Sequence, residues 1–248
     1  MTSFRLVRAE LRKLSTTKMP WAFLAVLVTI AGITAVAVIV GTDADGSKAF
    51  ISTAADQKSL MAFAYNGLMI AGLFGAIAVA REYGHDTVVP TFLIEPRRHR
   101  AVLAQLAAVT LAGGVLGFVG TALTMVAVSA SLTATKFSFM LSAGDVTQLF
   151  AASIFAAATG ALLGAGIGTL VRNTGGAVAA LVVIQFIAPP LAVQLVSEAI
   201  SWVPGTLANV ASGVADDVGM AASLTAMIAW AAVPAIMSIF VAQRRDVV

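Results

Sequence analysis

The chain has 248 residues, of which 59% are hydrophobic and only 11% charged, with a mean hydropathy of +0.95. A water-soluble domain carries about 25% charged residues and has no core large enough to hide this much apolar surface, so a soluble globular protein is excluded and lipid is the expected solvent. Cysteine is absent, which excludes disulfides, thiolate metal sites and cysteine nucleophiles, and the net charge of +3 says little until it is divided by side of a membrane.

Residues 3–15, SFRLVRAELRKLS, place Phe4, Val7, Leu11 and Leu14 on one helical stripe and Arg5, Arg8, Arg12 and Lys13 on the other side. Such a helix, within residues 1–18, lies in the membrane interface with its basic face toward anionic headgroups. The plainer alternative is a basic N-terminus that only obeys the positive-inside rule.

A membrane-spanning helix needs roughly 20 mostly apolar residues. Six stretches qualify: about Trp21–Gly41, Leu60–Ala80, Val102–Ser131, Thr147–Val171, Gly175–Val196 and Met220–Gln243. The first is too long for the apolar part of a signal peptide and is expected to be a true span. No run of about ten residues alternates in polarity, so the expectation is an all-α polytopic fold in a single transmembrane domain over 1–248 rather than a barrel.

Between the first two spans, GTDADGSK at 41–48 superficially resembles a phosphate-binding loop. Ser47 separates Gly46 from Lys48, however, so the Gly-Lys pair is broken. DADG is no calcium loop either, because the twelfth position is Ala54 rather than an acid. The two histidines, His85 and His99, share one loop with no cysteine near, so neither a metal site nor a serine–histidine–acid arrangement is expected.

Within the spans, Gly113 and Gly117 are four apart, and Gly160, Gly164 and Gly168 form a ridge. Small residues at this spacing let helix backbones approach closely. Packing within the subunit is the default reading and a subunit–subunit contact the alternative. The interior polar residues are neutral: Asn66, Gln185, Gln194 and scattered Ser and Thr. A transporter driven by an ion gradient usually keeps ionisable groups near the midplane. Pro189–Pro190 interrupt the fifth span. After it, residues 197–219, SEAISWVPGTLANVASGVADDVG, are too polar and broken for a plain span. They are expected to form short helices dipping at the outer interface, with Trp202 at headgroup level, or else an ordinary long loop.

With six spans the basic residues segregate. Arg5, Arg8, Arg12, Lys13, Lys18, Arg81, Arg97, Arg98, Arg100, Arg172, Arg244 and Arg245 fall on one side, and only Lys48, Lys58 and Lys136 on the other. The sparse side holds Asp43, Asp45, Asp56, Asp145, Glu198, Asp216 and Asp217. Positive loops stay cytoplasmic, so both termini are expected in the cytoplasm of a cell carrying this protein in its cytoplasmic membrane. Five or seven spans would mix the charges.

The densest polar stretch is REYGHDTVVPTFLIEPRRHR at 81–100, within a cytoplasmic loop at 81–101. GHDT breaks the helix that ends near Glu82. Thr87 or Asp86 can cap a new one, and Pro90 then falls in its first turn, where a missing N–H costs nothing. The new helix must end before Pro96. Two turns remain, carrying Val88, Val89, Phe92, Leu93 and Ile94 between charged flanks. An exposed apolar patch rimmed by charge marks a partner surface.

This arrangement resembles the membrane subunit of the ABC-2 type transporter family. The likeness rests on the N-terminal amphipathic helix, the six spans, and a loop offering Glu82, Asp86–Thr87, an apolar turn, Pro96 and Arg97–Arg98–Arg100 in that order. It also rests on the broken segment WVPGTLANVASG before span six. The sequence departs from the family pattern at Asp86, where glycine is usual, at Pro90 inside the apolar turn, and at Gln105, where lysine is frequent. The resemblance implies an elbow helix bearing Arg5, Arg8, Arg12 and Lys13. It implies a coupling helix, with Glu82, His85, Asp86, Thr87, Val88, Val89, Phe92, Glu95, Arg97 and Arg98 contacting an ABC ATPase subunit. It also implies a second permease subunit, identical or homologous. ATP and magnesium would be held by the separate ATPase, since this chain has no Walker motif; no cofactor is expected on the chain itself and no nucleic acid as partner. The implied activity is export of an amphipathic drug, lipid or peptide. Spans two and five would line the path, with Asn66, Met69, Leu73 and Ile77 on one and Val182, Gln185, Phe186 and Pro189 on the other; burial against other spans is the competing reading. Two other functions compete with export: an ATPase-associated regulatory or immunity protein that moves nothing, and an ion-coupled secondary transporter.

Overall fold

The computed structural model describes residues 3–43, 46–64, 67–84 and 97–244. Among them every regular element is helical, and six helical stretches are long and apolar enough to cross a membrane: Met19–Val40, Ala54–Gly84, Arg98–Leu132, Ala143–Val171, Thr174–Leu195 and Met220–Arg244. These are the six expected spans. The second, third and fourth begin earlier than hydropathy alone placed them, because their first turns carry polar residues that a hydropathy window discounts but a helix tolerates.

The helices in chain order are α1 (Ser3–Thr16), α2 (Met19–Val40), α3 (Ala54–Ala64), α4 (Gly67–Gly84), α5 (Arg98–Leu132), α6 (Ala143–Val171), α7 (Thr174–Val182), α8 (Ala188–Leu195), α9 (Pro204–Ala211) and α10 (Met220–Arg244). Pro20 opens α2 in its first turn, where proline is preorganised. Gly41 closes it in an extended conformation, its N–H on the Ala37 carbonyl at 2.7 Å. A capping box starts α6: Ser142 Oγ accepts from the Asp145 N–H at 3.1 Å, and Asp145 accepts from the Ser142 N–H at 3.2 Å. The helix stops at Arg172, whose left-handed backbone (φ 58°) lets its N–H return to the Gly168 carbonyl. Asn173 then caps α7 through the Gly176 N–H at 2.9 Å. Two residues thus suffice to reverse the chain between the fourth and fifth spans.

The centre of the bundle is α4, packed between α6, α5 and α7. The glycine ridge makes this possible. A Cβ on Gly160 or Gly164 would collide with the carbonyls of Leu68 and Gly72, and one on Gly168 would sit 2.8 Å from the Ala76 carbonyl oxygen. One four-residue ridge therefore lies directly on another, backbone to backbone. Gly113 and Gly117 bring α5 equally close to Ala157 and Ser153 of α6. The small-residue spacing thus packs helices within the subunit. On the other side of α4, Phe74 meets Phe23 of α2 edge to face at 5.3 Å.

The fifth span is not one α-helix. Between α7 and α8, Val183–Ile187 form a π turn, and the Ala188 N–H reaches back five residues to the Val183 carbonyl. Pro189 and Pro190 follow at once. Their missing N–H groups forbid the regular ladder there, and the wider register spreads the defect over one turn. After α8, a 3-10 turn (Ser197–Trp202) and α9 run back along α10. Trp230 Nε1 donates to the Trp202 carbonyl at 2.9 Å, and Ser223 Oγ to the Leu207 carbonyl at 2.7 Å. Trp230 lies ten residues inside α10, about 15 Å from its start at 1.5 Å per residue. The Trp202 turn therefore sits well below the end of that helix, and α9 climbs back toward it.

Candidate functional site

The sequence-predicted site residues fall in two places: the end of the bundle where α1 packs, and the stripe along α4 whose Met69 and Leu73 meet the fifth span while Ile77 packs in another core cluster.

At the first, α1 has three faces rather than two. Arg5, Arg8 and Arg12 are exposed as the pattern predicts, and Phe4 is 75% exposed at the outer end of the apolar stripe. Lys13 departs from the expected basic face. With Leu6 and Glu10 it turns toward the bundle, and its ammonium lies 2.9 Å from Glu82 Oε2 on α4 and 2.9 Å from Glu10 Oε2. Burial lowers the pKa of Lys13, but the two carboxylates outweigh it and the net shift is upward from the ordinary value. Lys13 therefore stays protonated and bolts α1 to the last turn of α4. The next residue along, Tyr83, is 8% exposed and lies under the Arg172 guanidinium, whose carbon is 5.2 Å from the ring centroid. Glu82 and Tyr83 together tie the end of α4 to α1 on one side and to the α6–α7 turn on the other. Beyond them, Arg97 is exposed at the N-cap of α5, and Arg98 is half-buried in its first turn. His85, Asp86, Thr87, Val88, Val89, Phe92 and Glu95 lie outside the described residues, as do Pro90 and Pro96.

At the second place, α4 is enclosed along most of its surface, yet Met69, Leu73 and Ile77 remain half-exposed at successive four-residue steps. This is the stripe the helical periodicity picks out; Asn66 lies outside the described residues. Met69 and Leu73 pack in one cluster with Leu181 and Ile184, so the second and fifth spans are neighbours within the subunit. Leu181 lies over Gly72, where an added Cβ would be 3.1 Å from its side chain. Val182 and Gln185 are half-buried, Pro189 is buried, and Phe186 is 54% exposed and directed away from the subunit. The Gln185 amide nitrogen is buried without a hydrogen-bond partner. An amide donor left unpaired in an apolar site costs on the order of 1–3 kcal/mol, and it is available to any acceptor brought beside it.

Sequence reasoning missed Gln57. It is fully buried in α3, and its amide donates to the Ile51 and Ser138 carbonyls (3.1 and 2.8 Å) while accepting from the Met140 N–H (3.0 Å). Beside it, Lys58 pairs with Asp145 at 3.0 Å and bonds Gln148 at 2.9 Å. These contacts staple the end of the bundle opposite α1. The spacing alone gave no signal, because all these partners but Ile51 lie 81 to 90 residues away.

No protein-family model matches the chain, and no curated protein is significantly similar to it.

Proposed function

We propose that this chain is the membrane-spanning subunit of an ATP-driven exporter of the ABC-2 type, moving an amphipathic compound out of the cell with energy from a separate ATPase subunit. In this reading α1 is an elbow helix on the cytoplasmic surface, and residues 88–95 form the coupling helix that docks into the ATPase. The 197–219 segment re-enters the outer leaflet, which the depth of the Trp202 turn along α10 supports. Both termini are cytoplasmic, ATP and magnesium belong to the partner, and a second permease subunit completes the path.

The observation that carries the reading is the bracing of the last turn of α4. A connector between two spans needs no fixed base, yet Glu82 and Tyr83 are held from both sides immediately before the apolar, charge-flanked segment. That is what transmission of force from a docked partner to the most enclosed span requires, because a rigid element passes displacement on where a frayed one absorbs it. The half-open Met69–Leu73–Ile77 stripe and the unpaired Gln185 amide suit a largely apolar cargo carrying an acceptor.

The test is reconstitution in vesicles with the ABC ATPase encoded beside the chain. Transport with ATP, and hydrolysis stimulated by the cargo, are expected. Association without stimulation by any amphipathic compound would favour a non-transporting regulator, and uptake driven by an ion gradient without the ATPase would contradict the proposal.

A further inference from the structure

Toward the end of the bundle opposite α1, a cavity of about 170 Å³ lies between α3, α4, α6 and α9. Ala62, Gly67 and Ala152 give it small apolar walls, and Ser153, Asn209 and Ser212 give it polar ones. Ser153 and Asn209 are half-buried, and neither the hydroxyl nor the amide has a hydrogen-bond partner among the described residues. Ser212 Oγ donates to the Ala208 carbonyl at 2.9 Å and keeps its capacity to accept. Ser153 lies eight residues beyond Asp145 on α6, so the cavity reaches about 12 Å below the Lys58–Asp145 pair at 1.5 Å per residue. Around that pair is a second hollow of about 280 Å³, lined by Ser59 and Gly213 among others. Gln148 stands between the two. Its amide oxygen accepts from Lys58 at 2.9 Å, its amide nitrogen reaches the Ala211 carbonyl at 3.5 Å, and a Cβ on Gly213 would lie 2.6 Å from that nitrogen.

We propose that the inner cavity is a water-filled vestibule, entered past Gln148 from the end opposite α1, that admits small water-soluble molecules to the level of Ser153. The unpaired Ser153 and Asn209 select water over lipid. An acyl chain or an apolar side chain lying there would leave both without a partner, the costly state for a polar group taken out of water. A water site needs room and two to four polar partners. The volume holds about five molecules at about 30 Å³ each, and Ser153, Asn209 and Ser212 supply partners from two walls. The approach is polar as well. Lys58 bonds both Asp145 and Gln148, and Asp145, Gln148 and Ala152 follow one another along one face of α6 at steps of three and four residues. The ion pair, the amide and the cavity therefore lie on one line descending from the end of the bundle. No charged side chain lines the inner cavity, so an ion finds no countercharge there and neutral solutes are the class that fits.

The vestibule is independent of the transport reading, and its test needs no ATPase. The chain has no cysteine, so a single introduced thiol reports alone. The protein is placed in sealed lipid vesicles, and a charged methanethiosulfonate that does not cross membranes is added on one side. Lys136→Cys and Arg8→Cys, at exposed positions, mark the end opposite α1 and the α1 end. Ala151→Cys is the control at the depth of Ser153, because Ala151 is exposed on the other side of the same turn of α6. A thiol in lipid does not ionise, and the thiolate is the species that reacts. Ser153→Cys is expected to react at least about tenfold faster than Ala151→Cys, with reagent on the side that labels Lys136→Cys. Asn209→Cys reports the same cavity from α9 and serves where Ser153→Cys fails to fold. Gln148→Ala, which opens the partition, should quicken the reaction by at least about threefold. Three results would each overturn the proposal: cavity thiols no faster than Ala151→Cys, which would mean a dry cavity or one filled by lipid or protein; labelling only from the Arg8→Cys side; and a rate that Gln148→Ala leaves unchanged.

Discussion

Lys13 is the residue whose role differs most from its place in the helical pattern. Counting at 3.6 residues per turn puts it at the edge of the basic face, and a flexible four-carbon stem decides the rest by reaching Glu82 and Glu10. Lys13→Met should leave two carboxylates facing each other and lower stability by about 1 kcal/mol, below the range for a buried charged hydrogen bond because a third of the side chain is exposed. The thermal midpoint in detergent should fall, and Lys13→Met with Glu82→Gln should recover part of the loss. Its pH dependence has a definite sign. Because the folded pKa of Lys13 is raised above its ordinary 10.5, the stabilisation is fully present below that value and is lost as pH rises through the higher folded pKa. The difference between parent and Lys13→Met should therefore be constant on the approach to about pH 10 and shrink above it. Gln57 makes a second residue-scale case. Gln57→Leu keeps the volume but strands two carbonyls and an N–H, for a loss of roughly 3 kcal/mol, read as a lower unfolding midpoint. Neither role was legible in the sequence, because each depends on which atoms a long polar side chain finds after the helices have packed.

The helices themselves were legible wherever a periodic signal repeats over several turns. Span number, the α1 stripe and the glycine ridge all followed from spacing, since lipid forces every backbone group into a helix and close packing forces small residues into register. The ridge gives a sharp comparison. Gly164→Ala must push the Gly72 carbonyl aside, whereas Gly32 in α2 has nothing within 4 Å of its would-be Cβ. Gly164→Ala should cost about 1–3 kcal/mol through overpacking, while Gly32→Ala should be neutral or slightly stabilising through helix propensity; thermal unfolding of the two purified variants checks both. Elements defined by a defect were harder to place. Pro189–Pro190 announce a break, but the π turn sits on their N-terminal side, where the carbonyls that lose their donors lie. An apolar groove lies beside it without any sequence signal, because its lining comes from four separate stretches of chain.

At the scale of the whole molecule, α1 and the α6–α7 turn gather around the last turn of α4, on the side where the charge count expects twelve basic residues. The site's base was thus partly visible in the charge count, and its bracing became visible only in three dimensions. The account's central claim is that residues 88–95 transmit the work of an ATPase through that braced turn. Phe92→Asp tests it most directly. The charge lies outside the spans, so it avoids the insertion cost of about 2.5–3.5 kcal/mol at a span centre. A lost aromatic anchor costs about 2 kcal/mol or more of binding, which is more than a factor of ten at about 1.4 kcal/mol per decade. The measurement is co-purification of the ATPase with parent and Phe92→Asp proteins at matched membrane yield. The account predicts normal insertion with at least about tenfold weaker ATPase capture; normal insertion with undiminished capture and cargo-stimulated hydrolysis would contradict it.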